Sequence, residues 1–186
     1  MEREVANDMK IMGKADPFKG NGGALAAFRP LVPRDLPEVL ELYNQYVRTS
    51  TATFSIEPVE LAEMEGMVLG GDRRYASFAV LVEEALAGYV LLARYKNREA
   101  YDTTAEVTLY LKEEAAGRGI GTQALDFIEG HAKSHGFRAL LAVICEENQA
   151  SIALFRKMGY FQCAHFREVG RKFDRMLDVV VYEKLV

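Results

Sequence analysis

The sequence predicts an α/β (α+β) domain, with one central sheet of six to seven strands flanked by about four helices. Three observations carry this. Residues 106–111 alternate like a half-buried strand and lead through Ala116-Gly117-Arg118-Gly119-Ile120-Gly121-Thr122 into a helical pattern. The continuous apolar run Ala139–Ile144 is that of a strand covered on both faces. Ser77–Val82 and Leu86–Ala93, with a short turn at Glu83-Glu84 between them, read as an antiparallel hairpin.

The first stretch, Met1 to about Gly23, carries Gly13, Pro17, Gly20, Gly22 and Gly23 without periodicity. It reads as a flexible extension ahead of a single domain at 24–186. Ala26–Leu31 is a short strand. Asp35 as N-cap, Pro37 in the first turn and Glu38 three residues on predict a capping-box start to a helix with Leu36, Val39, Leu40, Tyr43 and Val47 as apolar positions. A polar, β-branched loop at 49–55 carries Phe54. Pro58–Val68 reads as a second helix, broken by Gly70-Gly71. After the hairpin, Arg94–Thr104 is a loop with two tyrosines, and Glu106–Leu111 is the next strand. Leu125, Ile128 and Ala132 mark the buried face of a helix at Thr122–His135, with Gly136 as its C′ stop. Asn148–Met158, stopped by Gly159, is a short helix, and strands around Tyr160–Phe166 and Asp178–Lys184 close the chain.

Composition narrows the function classes. Apolar residues make up 49% of 186, enough for one full core, and no apolar run approaches the roughly 18 residues of a membrane span. The start, Met1-Glu2-Arg3-Glu4, lacks the apolar centre of a signal peptide, so a cytoplasmic location is expected. A net charge of −4 argues against nucleic acid as the partner. Cys145, within the apolar run, reads as a reduced buried thiol. His131 and His135 are four apart, but Ala132 stands where a zinc hydrolase helix needs glutamate, so no metal is expected.

Three glycines in five positions, at a helix start, let the backbone approach a ligand and aim its unpaired amides at one place. With the positive end of the helix dipole, that chemistry holds a phosphate. A P-loop is excluded because Thr122 follows Gly121 with no lysine between. The spacing Gly-x-Gly-x-Gly, separated from its strand by Lys112–Ala116, is not the dinucleotide fingerprint either. A ligand-free glycine turn remains the alternative.

Four segments stand along the order strand, glycine loop, helix, strand, asparagine, helix: Ser50-Thr51-Ala52-Thr53-Phe54; Arg98-Glu99-Ala100-Tyr101 with Thr104–Leu111; Glu147-Asn148-Gln149-Ala150-Ser151-Ile152; and Val169–Phe173 with Leu177-Asp178-Val179. That order and those segments resemble the GNAT superfamily of N-acetyltransferases, and more closely its phosphinothricin or amino-acid acetyltransferase branch. The resemblance implies a mixed, mostly antiparallel, twisted sheet, acetyl-CoA as cosubstrate, a small amine-bearing acidic acceptor and a homodimer.

Carried onto these residues, the resemblance implies Glu106 as general base and Leu109, Tyr110 and Leu111 as the backbone that pairs the pantetheine arm. Gly117, Arg118, Gly119, Ile120, Gly121 and Thr122 would hold the diphosphate. Asn148 and Ser151 would touch the cofactor, and Phe54, Arg98 and Tyr101 the acceptor. Each has a plainer alternative: a solvated strand-end carboxylate for Glu106, a helix N-cap for Asn148, a solvated loop for Arg98 and Tyr101, core packing for Phe54. Lys172 and Arg175 read on their own as surface residues. Four positions depart from the family pattern. Ala116 replaces a Gln or Arg, Phe155 replaces a tyrosine acting as general acid, and Asp174 with Met176 alter a signature that usually reads Lys-Phe-Gly-Arg-Trp. A second reading is a degenerate member that binds acyl-CoA as a sensor or structural subunit.

Overall fold

In the computed structural model, which describes residues 24–70 and 72–186, the strands join into one seven-stranded sheet. The extension read at 1–23 and Gly71 lie outside the described residues. In chain order the strands are β1 (Ala26–Pro30), β2 (Ser77–Val82), β3 (Ala85–Arg94), β4 (Thr104–Leu111), β5 (Ala139–Cys145), β6 (Phe161–Lys172) and β7 (Arg175–Leu185). They lie in the order β1-β2-β3-β4-β5-β7-β6, and only the β4–β5 pair is parallel. The helices are α1 (Leu36–Thr49), α2 (Leu61–Val68), α3 (Ile120–Ser134) and α4 (Gln149–Lys157). The mixed, mostly antiparallel sheet with four helices is the architecture the sequence predicts.

Period-two alternation divides the core between the two faces. Along β3, Tyr89 and Leu91 pack with α1 and α2 residues such as Val39, Tyr43, Val47 and Met64. Val90 and Leu92 point the other way, into a cluster with Ile120, Leu125 and Ile128 of α3 and Ile152 and Phe155 of α4. Glycines end both of those helices. Gly136 and Gly159 have φ of +79° and +84°. Phe137 N–H donates to Ala132 O (3.1 Å) and Gly136 N–H to Lys133 O (3.2 Å), the double bond of a Schellman stop, and Tyr160 and Gly159 repeat it on Phe155 and Arg156 (both 3.0 Å). Glu83 and Glu84 both take positive φ (50° and 66°), which makes the β2–β3 connection a two-residue type I′ turn.

Several boundaries differ from the sequence reading. The second helix starts at Leu61, not Pro58, because the Asn44 side chain holds both backbone groups of Val59. Its amide donates to Val59 O (3.0 Å) and its oxygen accepts from Val59 N–H (2.9 Å), so residues 58–60 stay outside the helix. Asp35 makes no forward cap on α1. Its carboxylate accepts from Val32 N–H (3.0 Å) and from both Arg29 terminal nitrogens (2.6 and 2.8 Å), fastening β1 to a 3-10 turn at Pro33–Asp35. β6 and β7 extend to Lys172 and back from Arg175, joined by Phe173 and Asp174 at φ of +52° and +57°. β6 is a sheet edge with most of its residues exposed and two register breaks, so its sequence shows no alternation.

Two glycines make a test of packing against propensity. A Cβ on Gly88 would overlap the Tyr110 carbonyl oxygen and stand 2.8 Å from a Leu111 side-chain carbon, whereas one on Gly130 in α3 meets nothing within 4 Å. Gly88→Ala is expected to destabilise by about 3 kcal/mol. Gly130→Ala is expected to stabilise by roughly 0.5–1 kcal/mol. Urea denaturation of the two variants should give opposite signs.

Candidate active site

β4 and β5 pair only from Thr104↔Ala139 to Glu106↔Leu141, although β4 runs on to Leu111 and β5 to Cys145. β4 stays paired to β3 as far as Leu111. The strands therefore part, and a cleft of about 490 Å³ opens between Val107–Leu111 and Ala142–Ile144. The α3 start, α4, Tyr46 and Ala52 complete its lining. That volume suits a small-molecule site.

Hydrogen-bond phase decides what β4 offers this cleft. Lys112 N–H donates to Ala87 O (2.8 Å), so residues 112, 110, 108 and 106 spend their backbone groups on β3. The odd residues face β5, as Thr103 O does in accepting from Arg138 N–H (2.7 Å). Beyond the last β4–β5 pair, both backbone groups of Leu109 and the N–H of Leu111 thus face the cleft. The Leu111 carbonyl accepts from the Tyr46 hydroxyl (2.7 Å). Tyr110, expected to share this role, lines the cleft but commits its backbone to β3.

At the cleft's other end Gly119 is the N-cap of α3, with φ of +82°, and Gly117 has φ of +71°. The helix thus starts two residues earlier than the periodicity suggested. Ile120, Gly121 and Thr122 form its first turn, where amides have no i−4 carbonyl to meet. Gly121 has another function: a Cβ there would sit 2.8 Å from Leu154 Cδ2, so its absence lets α3 and α4 close up beneath the cleft. The Ile120 side chain is fully buried in the core, which leaves only its amide for a ligand. Arg118 is exposed, donates to Glu114 O (3.3 Å) and is not among the lining residues. The cation that lines the cleft, among the described residues, is Lys157.

Asn148 is the N-cap of α4, its side-chain oxygen accepting from Ser151 N–H (3.1 Å). Its amide nitrogen is not used by that bond, and both residues line the cleft. The cap alternative is therefore realised without excluding a ligand contact. Phe155, also lining it, is 3% exposed and packs edge-on against Tyr160 (5.0 Å between ring centroids).

Glu106 lies one residue before the stretch of β4 that lines the cleft. Its side chain shares a face with Thr108 and Tyr110, toward α1 and α2. It is half-buried, and desolvation raises its pKa, with the charge of Lys96 opposing. Lys96 was not singled out from the sequence; it sits two residues from Arg98, and no spacing marks it. Tyr110 packs among Tyr43, Tyr46 and Tyr89 at centroid distances of 5.5, 5.2 and 5.3 Å, and burial pushes its pKa up.

The expected acceptor residues sit on loops outside the cleft lining. Arg98 is exposed and caps a 3-10 turn at Glu99–Tyr101, where Tyr101 is 40% exposed and edge-on to Tyr95. Asp102 pairs with Arg94 and anchors this loop. Phe54, 37% exposed, lies against Gly170. Lys172 is not a surface residue: it is 3% exposed and donates to Ser50 O and Thr53 O, both at 2.8 Å. Arg175 is exposed and pairs with Glu147.

The donor set tests the acetyl-CoA expectation. Convergent amides at a helix start, an unpaired strand edge, an amide side chain and a lining lysine fit a ligand with a diphosphate and an extended, amide-rich arm. The chain matches the sequence profile of the acetyltransferase (GNAT) family over residues 39–160. It is 33% identical to a phosphinothricin N-acetyltransferase of Streptomyces coelicolor, over 88% of this chain and 98% of that one. It is 31% identical to an L-methionine sulfoximine/L-methionine sulfone acetyltransferase of Pseudomonas aeruginosa, over 83% and 91% respectively. Among solved structures, a phosphinothricin acetyltransferase from Sinorhizobium meliloti in complex with AcCoA superposes with a TM-score of 0.81 at 32% identity, covering 87% of this chain and 88% of that one.

The cap has its own test. Asn148→Ala is expected to lose about 1 kcal/mol of stability, while Asn148→Ser, which still offers an oxygen to Ser151 N–H, keeps most of it. Thermal and urea unfolding of both variants would show the difference.

Proposed function

Because the chain belongs to the acetyltransferase (GNAT) family, we propose that it transfers acetyl from acetyl-CoA to the primary amine of a small acidic acceptor of the phosphinothricin, methionine sulfoximine or amino-acid type. The observation that carries the reading is Glu106: a half-buried carboxylate of raised pKa at the point where β4 leaves β5.

In this reading the amides of Gly117 and of Gly119–Thr122 hold the diphosphate, with Lys157 adding charge where Arg118 was expected to. The free edge at Leu109 and Leu111 pairs the pantetheine arm as an added strand, and the Asn148 amide and Ser151 touch it from α4. When bound, acetyl-CoA supplies a thioester carbonyl open to attack by a neutral amine. Glu106 takes the ammonium proton, directly or through water, and so produces that amine. The Leu109 or Leu111 N–H donates to the oxygen that gains charge. The sulfur leaves as a thiolate whose conjugate thiol has a pKa of ~8.5, mild enough to depart without a dedicated acid, so Phe155 is compatible with turnover. Arg98, Lys96 and Tyr101 grip the acidic end of the acceptor, with Phe54 against its body. Direct attack on the thioester needs no enzyme nucleophile. The reading treats 24–186 as one domain acting as a homodimer in the cytoplasm, with no metal, nucleic-acid or membrane partner.

Thiol release from acetyl-CoA across an amine panel that includes phosphinothricin, methionine sulfoximine and amino acids tests the proposal. Release with an acidic amine supports it. Binding of acetyl-CoA without release by any acceptor would favour the sensor, the reading to which Ala116 and Phe155 lean.

Glu106→Gln should lower kcat by about 10²–10⁴ while leaving the acetyl-CoA Kd unchanged. The base works deprotonated, so the wild-type rate should fall as pH drops through a pKa above the ordinary carboxylate range. Lys96→Met removes the charge that opposes the shift and should move this acid limb to higher pH; a limb that stays in place or moves down excludes Glu106 as its source. Arg98→Ala should raise the acceptor KM by roughly tenfold or more, with little change for acetyl-CoA.

A further inference from the structure

We infer that Lys172 is a positioning residue for the acceptor side of the site, holding the loop Ser50–Phe54 in place from the tip of the β6–β7 hairpin. This rests on reading that loop as part of the acceptor pocket.

Lys172 is 3% exposed, and its ammonium donates to the carbonyls of Ser50 and Thr53, 122 and 119 residues away in sequence. Burial lowers its pKa, with no acidic group opposing. A cation placed against two neutral carbonyls is costly unless those bonds are kept, so the loop and the hairpin move together. The arrangement reaches both parts of the site. Ala52, between the two bonded carbonyls, lines the cleft. Phe54 follows Thr53 and lies on Gly170, where a Cβ would overlap its ring. The Thr53 hydroxyl bonds to Tyr43 (2.9 Å), which packs edge-on against Tyr110 two turns of the ladder from Glu106.

The hairpin tip has a second contact, Arg175 with Glu147 beside Asn148, but both of these side chains are exposed to water. The pair is bidentate, yet water screens it at that exposure, so it fastens the tip less firmly than the buried lysine contacts do. The tip therefore governs the Ser50–Phe54 side far more than the Asn148 side.

The test uses the full chain. Lys172→Met keeps the stem and removes the three donors. With the acceptor found in the amine panel, its KM should rise about tenfold, with kcat within about threefold and the acetyl-CoA Kd unchanged. In ligand-free protein, amide hydrogen exchange should quicken at residues 50–54 and not at 147–152, a readout independent of turnover. Gly170→Ala displaces the Phe54 ring while leaving Lys172 intact, and should reproduce the KM rise even if Lys172→Met fails to fold. An unchanged acceptor KM in the folded variants, or an acetyl-CoA Kd that rises in parallel with it, overturns the inference. Wild-type inactivity across the amine panel would instead overturn the acceptor reading; exchange at 50–54 would still report on the lysine contact.

Discussion

The parting of β4 from β5 after Glu106↔Leu141 is the constraint on which the rest of the site depends. A parallel ladder that continued to Leu111 would consume the backbone groups of Leu109 and Leu111 and leave no cleft. Because it stops, a strand held on one side by β3 presents its other edge to a ligand, in the interior of a sheet where no edge would otherwise exist. The α3 start sits at the far end of that opening, and Gly121 lets α4 approach closely enough to floor it.

The sheet also separates two tasks. One face carries α3 and α4 and the positive end of a helix dipole, suited to an anionic ligand. The other carries α1, α2 and the tyrosine cluster, with Glu106 half-buried on the same face of β4 as Tyr110. Desolvation there raises the carboxylate's proton affinity, the direction that the proposed role of Glu106 as general base calls for.

The features legible in the sequence were those set by local chemistry. The glycine-rich turn, the stops at Gly136 and Gly159, the hairpin at Glu83-Glu84 and the apolar run of β5, exposed chiefly at the cleft-lining Val143, each need particular residues at particular spacings. What stayed hidden depends on partners far away in the chain. Asn44 shortens α2 from 15 residues upstream of Val59, and Lys172 is buried by carbonyls from the other end of the domain. The length of β6 was hidden because an exposed edge carries no hydrophobic rhythm. Within the candidate site, the glycines came from their spacing, and Glu106 and Asn148 from the family resemblance. The division between Tyr110 and its neighbours needed the ladder phase, and Lys157 and Lys96 needed the fold to bring them near. Arg118 was drawn in by its place in the motif, although its side chain lies outside the cleft lining.

The odd–even division along β4 gives that strand an unusual mutational grammar. The side chain at 108 can be exchanged without changing which backbone groups meet the cleft, so that position is free to vary while the exposed edge stays as it is. A single inserted or deleted residue between Glu106 and Leu109 would instead transpose the two sets, turning the cleft's donors toward β3 or the carboxylate toward the opposite layer. Tolerance of substitution combined with intolerance of frame slippage is thus built into eight residues of strand.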